Sequence, residues 1–480
     1  MKKIIALILS MLLSACMVGP NYVRPKIAVP TQYKEAAPKG WKVAEPRDAF
    51  DRGDWWTFFH DPKLNALEEQ LMNSNQTVAN AAATYDQARA LVDEARASLF
   101  PTLAGSASLT RQRQVSGSSA SVNTSSGFVN SGGGGSSKVF TTHSWLLDAS
   151  WEPDLWGNLR RAVTAAKDTA QADNAQLANV RLLSTATLAQ TYFQLRAADM
   201  DQKLLDDTVI EYQKTLQLTR NRYASGVAAR TDVITAQSQL ENAQSLAINN
   251  HIGRAQFEHA IAVLLGEAPA FFSIPPTPLH ATPPTVPLAV PSDLLERRPD
   301  VANAERLAAS ANEQIGIAIA AYFPTLPLSA TASYQAKNYA HWFSIPLTNW
   351  SLGAQLADTI VDGGLRSATI AAARANYLAT VATYKQTILA AFQDVEDNLA
   401  SQHYLKDQTN VANKAAADAR FALTLIINQY KAGTVAYTDV ITAQNTAYTA
   451  EKTAADLNGQ RMVAAVGLIK ALGGGWDGVV

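Results

Sequence analysis

One stretch of this chain is written twice. Arg222-Tyr223-Ala224-Ser225-Gly226, leading to Thr231-Asp232-Val233-Ile234-Thr235-Ala236-Gln237, returns 207 positions later as Gln429-Tyr430-Lys431-Ala432-Gly433 and Thr438-Asp439-Val440-Ile441-Thr442-Ala443-Gln444. Phe100-Pro101-Thr102-Leu103 returns as Phe323-Pro324-Thr325-Leu326, and Gly157-Asn158-Leu159-Arg160-Arg161-Ala162 as Gly363-Gly364-Leu365-Arg366-Ser367-Ala368. Three words repeated in one order are an internal duplication, so any fold the chain adopts must be built twice. The first copy is longer between its second and third words, in the Ser/Gly-rich stretch 116–137, which reads as a flexible loop.

Each copy has the same predicted layout: a helix ended by proline, two short strands, a very long helix, a glycine turn and a shorter helix. The helices are expected at 64–99, 156–223 and 231–265, and again at 294–322, 362–430 and 438–472. At 1.5 Å per residue each long helix could reach about 100 Å. The long helices are rich in alanine: Ala368, Ala371, Ala372, Ala375, Ala379 and Ala382 recur at spacings of three and four. Small residues let helices pack closely, which suits a thin wall or a long coiled coil better than a thick core. The domain plan is therefore a leader 1–15, an N-terminal segment 16–61, a first repeat 62–266, a linker 267–292, a second repeat 293–473 and a tail 474–480. The segment 16–61, with its prolines and tryptophans, is expected to drape over the surface. The linker holds eight of the chain's 20 prolines.

The strands, expected at 102–113, 141–152, 325–336 and 347–357, alternate apolar with polar residues. Leu328, Ala330, Ala332 and Tyr334 oppose Ser329, Thr331, Ser333 and Gln335; Trp145, Leu147, Ala149 and Trp151 oppose Ser144, Asp148 and Ser150. That pattern fits any half-buried sheet, and also a membrane barrel with lipid outside and water inside. Trp145, Trp151, Trp342 and Trp350 lie in or beside the strands, as interfacial aromatics do. Four strands cannot close a barrel, and lipid does not tolerate an open edge, so membrane-spanning strands would require several chains; three would supply twelve strands.

The overall charge is nearly balanced, with 40 Lys and Arg against 41 Asp and Glu, so there is no basic footprint for nucleic acid. The motifs GxSxG, HExxH, CxxC and GxxxxGK[ST] are all absent, and the seven histidines are scattered, so the chain reads as a non-enzyme with no metal site and no cofactor. His251 and His259 stand two helical turns apart, too far to ligate one ion. Asp394, Glu396 and Asp397 read as a solvated helix face, or as acidic colour on a lumen. The one cysteine is informative. Lys2 and Lys3 precede a short apolar run and then Leu13-Ser14-Ala15-Cys16, which resembles a bacterial lipoprotein cleavage site, the alternative being an ordinary secretory signal with a chance cysteine. Cys16 is then expected to carry S-diacylglycerol and N-acyl chains, with Met17 after it pointing to the outer membrane.

The repeated turn word admits two readings. Gly226 and Gly433 can take the left-handed conformation that stops a helix, and Thr231 or Asp232, and Thr438 or Asp439, can cap the next one. Capping leaves Tyr223 and Tyr430 unexplained. If both turns gather at one end of a tube, residues there could close it and dock a helical partner.

These words, with Cys16-Met17-Val18-Gly19-Pro20-Asn21-Tyr22, Trp55-Trp56-Thr57-Phe58-Phe59 before Asp61-Pro62, and Arg298-Pro299-Asp300-Val301 with Ala304-Glu305, resemble the TolC-like outer-membrane efflux proteins in their NodT-type lipoprotein branch. The resemblance covers nearly the whole chain. It implies a mainly α fold with a small β part, a homotrimer whose twelve strands form an outer-membrane barrel, and helices forming a periplasmic tunnel. It also implies a periplasmic adaptor and an inner-membrane transporter of the resistance-nodulation-division type. The chain would be a passive exit duct for small toxic compounds such as antibiotics, opened at its periplasmic tip. By position, the tip comprises Tyr223, Gly226, Arg230, Thr231, Asp232, Tyr430, Gly433, Tyr437, Thr438 and Asp439. Relatives often have an acidic residue two after the second tip glycine, where this chain has Val435. Arg230 stands where the second copy has Tyr437, so the two hairpins are expected to dock the adaptor differently. A type I protein-secretion duct, or a lipid-anchored helical interaction protein without a channel, are the alternatives.

Overall fold

The computed structural model describes residues 17–28, 30, 33–34, 53–115, 137–279, 283–284, 297–336 and 349–474. The leader, Cys16, Trp342, most of the N-terminal segment, most of the linker and the C-terminal tail beyond 474 lie outside them. The first repeat runs α1 (Pro62–Ser74), α2 (Gln76–Ala97), β1 (Thr102–Val115), β2 (Ser137–Trp151), α3 (Asn158–Ala224) and α4 (Arg230–Leu264). The second runs α5 (Pro299–Ala320), β3 (Leu328–Ala336), β4 (Asn349–Ala354), α6 (Leu365–Ala432) and α7 (Tyr437–Ala471). No described helix is long and apolar enough to cross a membrane.

The expected helix 64–99 is two helices. Asn75 ends α1 and starts α2: its Oδ1 accepts from the backbone N–H groups of Thr77 and Val78, and its Nδ2 donates to the Leu264 carbonyl. An asparagine side chain that takes over the orphan N–H groups of a new helix competes with continuation of the old one. Asp61 starts α1 in the same way, accepting from the N–H groups of Lys63 and Leu64 ahead of Pro62.

The long helices have 67 and 68 residues and begin later than expected, because the glycines before them are not helical. Gly157 has φ +85°, and Gly363 and Gly364 have +62° and +94°. In each copy an aspartate then holds an arginine on the first turn: Asp154 accepts from the backbone and Nε of Arg160, and Asp362 from those of Arg366. Those bonds hold the Asp362 carboxyl at about 2, chiefly through the Arg366 side chain.

The chain divides into two compact units. The first holds residues Met1–Val23, Arg89–Lys167 and Ala309–Leu378, and with them all four strands. The sheet order is β1-β2-β3-β4, antiparallel throughout. The β2–β3 pair joins the two repeats; the other two pairs lie within a repeat. Directly opposed residues share a face, so the register fixes both faces. Leu103, Ala149, Ala330 and Leu352 form one row of the apolar face, and Gly105, Leu147, Ala332 and Trp350 another. The opposite face is lined with hydroxyls. Thr102 meets Ser150 at 2.8 Å, Ser108 meets Ser144 at 2.8 Å, and Thr331 meets Ser351 at 2.7 Å. Ala104, Phe140 and Leu146 are the apolar side chains on that side among the described residues. Along β1 the apolar face is Leu103, Gly105, Ala107 and Leu109, and beyond it Arg111 and Arg113. Trp145, Trp151 and Trp350 all point from the apolar face; Trp151 donates from Nε1 to the Leu99 carbonyl at 3.0 Å, and Trp145 stacks on Tyr334.

The second unit holds residues Arg24–Ala88, Asp168–Ala308 and Ala379–Val480. Its main core corrects the expectation that the Trp-rich segment drapes over the surface. Trp55, Trp56 and Phe59 are buried with Leu64, Leu67 and Leu71 of α1, Tyr192 and Phe193 of α3, Ile261 of α4, and Met462, Val466 and Ile469 of α7. The rings meet edge-on, with Trp55 and Trp56 5.9 Å apart, and Phe59 lies 4.8 Å from Phe193. Burying such rings is worth more than their exposure on a thin helical wall, so Trp55, Trp56 and Phe59 become core.

Candidate docking and gating tip

In the second unit the two glycine turns have the same backbone geometry. Gly226 has φ +75° and Gly433 φ +82°. Gly226 N–H donates to the Tyr223 carbonyl and Val227 N–H to that of Arg222; Gly433 donates to Tyr430 and Thr434 to Gln429. This paired closure of the last turn is the Schellman arrangement, which wants glycine at the left-handed position. The next helices are not capped as expected. Ala229 and Ala436 hold the N-cap positions, and Thr231 and Thr438 lie inside the first turn. Asp232 and Asp439 act from the third helical position: their carboxylates accept from the N–H groups of Ala229 and Ala436, at 3.3 and 3.0 Å. They also meet the positive end of the helix dipole.

The two repeats use their tip residues differently. Tyr223 is 47 % exposed, whereas Tyr430 is 3 % exposed. Arg230 is exposed at the start of α4, while its counterpart Tyr437 is buried with its ring 5.7 Å from that of Tyr430. Around these two rings Tyr212, Leu216, Ala236, Leu240, Ala243 and Val440 form a cluster that joins the two hairpins. Burial pushes the phenols of Tyr212 and Tyr437 up, the former to about 12. Tyr430 and Tyr437 therefore cement the hairpins to each other, and Tyr223, Arg230, Thr231, Thr438 and Asp439 remain at the surface.

Arg222 is the residue that sequence reasoning passed over. Its Nη1 donates to the carbonyls of Tyr430 at 2.6 Å and Lys431 at 3.3 Å, and its guanidinium lies 4.6 Å over the Tyr430 ring. The signal was a break in the duplication, because the matching position is Gln429. Gln444 was also unassigned; it is buried and donates to Thr215 Oγ1 at 3.0 Å, while its counterpart Gln237 bonds Arg220 and Glu241 at the surface. Farther from the turns, Arg420 pairs with Glu211, and Lys452 bridges Asp201 and Asp456. Burial pushes the Asp201 carboxyl up to about 6, against the pull of Lys452.

One sheet with an apolar and a hydroxyl-lined face, two strands from each repeat, and in each repeat a helical hairpin with the same turn fit the class of outer-membrane ducts that the sequence words imply. The sequence profile of the family described as "Outer membrane efflux protein" matches residues 67–267 and 290–474. The pyoverdine export outer membrane protein OpmQ of Pseudomonas aeruginosa is 31 % identical over 481 residues, covering 99 % of this chain and 98 % of that protein. Nodulation protein T of Rhizobium leguminosarum bv. trifolii is 30 % identical, covering 91 % of this chain and 89 % of its own. Among solved structures, the outer-membrane channel OprN superposes with a TM-score of 0.83 at 26 % identity, covering 96 % of this chain and 100 % of that one.

This chain belongs to the outer membrane efflux protein family. It is an outer-membrane exit duct of the kind that serves tripartite efflux systems, extending into the periplasm of a Gram-negative bacterium, and its family is one of channels and not of enzymes.

Proposed function

We propose that three copies of the chain close a twelve-stranded outer-membrane barrel, and that the assembly is the passive duct of a pump driven by a resistance-nodulation-division transporter. The observation that carries this reading is the sheet: one face has apolar rows across all four strands, the other is lined with hydroxyls, and the outer edges of β1 and β4 have no strand partner among the described residues. Lipid forbids such edges, so neighbouring copies must supply the missing partners. In this reading Cys16 is acylated, and the lipid holds the duct beside its barrel. A periplasmic adaptor docks on the exposed tip residues Tyr223, Arg230, Thr231, Thr438 and Asp439, and the join of Arg222 with Tyr430 holds the tip closed until it does. Relatives carry names that speak of antibiotics, toluene, cations and pyoverdine; the cargo proposed here is of the first kind, small toxic organic compounds.

The test is reconstitution of the purified protein into a planar bilayer, with its oligomer mass and the mass of its N-terminal peptide measured on the same sample. Discrete conductance from a heat-sensitive trimer with a triacylated Cys16 is expected. A monomer that binds membranes without conductance would overturn the duct, and an unmodified Cys16 would overturn the anchor alone.

A further inference from the structure

The word Val18-Gly19-Pro20-Asn21 has no role in a duct or its gate, yet the first unit builds a cleft for its backbone. Arg161, on the first turn of α3, is completely buried. Its Nη1 donates to Glu313 of α5 at 2.6 Å, its Nε to the Val18 carbonyl at 2.7 Å, and its Nη2 to the Gly19 carbonyl at 3.1 Å and Asn21 Oδ1 at 3.5 Å. Asn312 of α5 donates to the Pro20 carbonyl at 3.1 Å, and Val18 N–H donates to the Trp156 carbonyl at 3.0 Å. Three glycines make the approach possible. A Cβ on Gly19, which has φ +96°, would lie 2.6 Å from the Gly316 Cα; one on Gly316 would collide with the Arg161 side chain; one on Gly157 would lie 2.8 Å from Met17.

The elements so bridged are informative. α3 follows β2 directly, and α5 leads directly into β3. β2–β3 is the strand pair that joins the two repeats among the described residues. A buried arginine whose donors are divided between a carboxylate and two peptide carbonyls is costly to leave unfilled, because removing the strap leaves its Nε and Nη2 donors without those acceptors in the interior, with the charge still paired to Glu313. We propose that residues 18–21 are a built-in peptide ligand: seated on Arg161, Glu313, Asn312 and Gly316, they fasten the feet of β2 and β3 and so hold the two repeats in register. This goes beyond the duct reading and does not depend on it, since it concerns pairing within one chain.

The register supplies the test. Ala149 of β2 is opposed by Leu103 of β1 on one side and by Ala330 of β3 on the other. In the full-length chain carrying Leu103→Cys, Ala149→Cys and Ala330→Cys, position 149 can cross-link to 103, within the repeat, or to 330, across the seam. Glu313→Gln, which unpairs Arg161, and separately Gly19→Val, which unseats the strap without touching a charge, are introduced into that background. Each is expected to lower the ratio of 149–330 to 149–103 cross-links, mapped by mass spectrometry, by at least about fivefold, the shift that ~1 kcal/mol produces. An unchanged ratio in both variants, whether the two yields hold or fall together, would overturn the proposal.

Discussion

Arg222 and Tyr430 are joined twice: the guanidinium covers the Tyr430 ring at 4.6 Å and donates to the same residue's carbonyl at 2.6 Å. One cation from the first repeat thus holds both the face and the helix end of the second. A cation over an aromatic ring and a charge-assisted bond to a C-terminal carbonyl are each worth roughly 1 kcal/mol at a half-buried site. Arg222→Ala is expected to weaken the join by about 1–2 kcal/mol and raise the open fraction of reconstituted channels about 5- to 30-fold. Arg222→Lys should recover part of the effect and Tyr430→Phe should change little, since the hydroxyl contact to Thr219 is long at 3.4 Å. Single-channel open probability is the readout, and an Arg222→Ala channel as closed as the parent would remove Arg222 from the gate.

The two turn glycines are equally left-handed but not equally crowded. Nothing lies within 4 Å of a Cβ built on Gly226, whereas one on Gly433 meets Arg222 Nη2 at 3.8 Å. Both valine variants carry backbone strain of about 1–2 kcal/mol. Gly433→Val should cut adaptor cross-linking more deeply than Gly226→Val, because a branched side chain there also presses on Arg222. Equal losses would mean that strain alone matters.

Glu68 lies between Leu64, Leu67 and Leu71, is completely buried, and has neither oxygen hydrogen-bonded among the described residues. Burial raises its carboxyl to about 9, so it is neutral in the fold at pH 7. A carboxyl raised by folding favours the folded state most below its unfolded value near 4.5, and that contribution is lost as pH climbs from there to about 9. Glu68→Gln should raise stability at pH 7 by about 2–3 kcal/mol and flatten the profile between pH 5 and 9. Denaturant midpoints of the detergent-solubilised protein across that range decide it; a slope as steep as the parent's would mean that Glu68 does not carry the effect.

Asp362 has the opposite sign. Its carboxyl is held at about 2 by Arg366, below the ordinary 3.8. That contribution is present at neutral pH and disappears as pH falls from about 4 through about 2. Asp362→Asn should therefore melt earlier than the parent at pH 7 and converge with it near pH 2, in thermal scans at both values.

What the sequence revealed depended on local period. The duplication, the alternating strands and the two glycine stops are all set by residues a few positions apart, and were readable in order. The break at Asn75 was not, because its side chain bonds the Leu264 carbonyl, nearly two hundred residues away, and an asparagine between two helical patterns otherwise reads as a polar surface residue. Trp55 and Trp56 lacked any periodic context, so nothing local marked them as core. At the tip, position and turn geometry were legible, but the division of labour was not. Which tyrosine is buried depends on how the hairpins pack, and the changes from Arg222 to Gln429 and from Arg230 to Tyr437 are the local hints of it.

The hydroxyl pairs of the sheet carry a consequence for cargo. Thr102 with Ser150, Ser108 with Ser144, and Thr331 with Ser351 satisfy one another across the strands, so these rows of the face offer neutral, rotatable groups, beside Asp148, Leu146 and Phe140 and with Lys138 at the far end of β2. If that face lines the pore, a passing solute trades water for hydroxyls that resemble water, at little gain or loss. Such rows would sort solutes little by their chemistry, and under that reading the choice of cargo falls to steps before the solute reaches them.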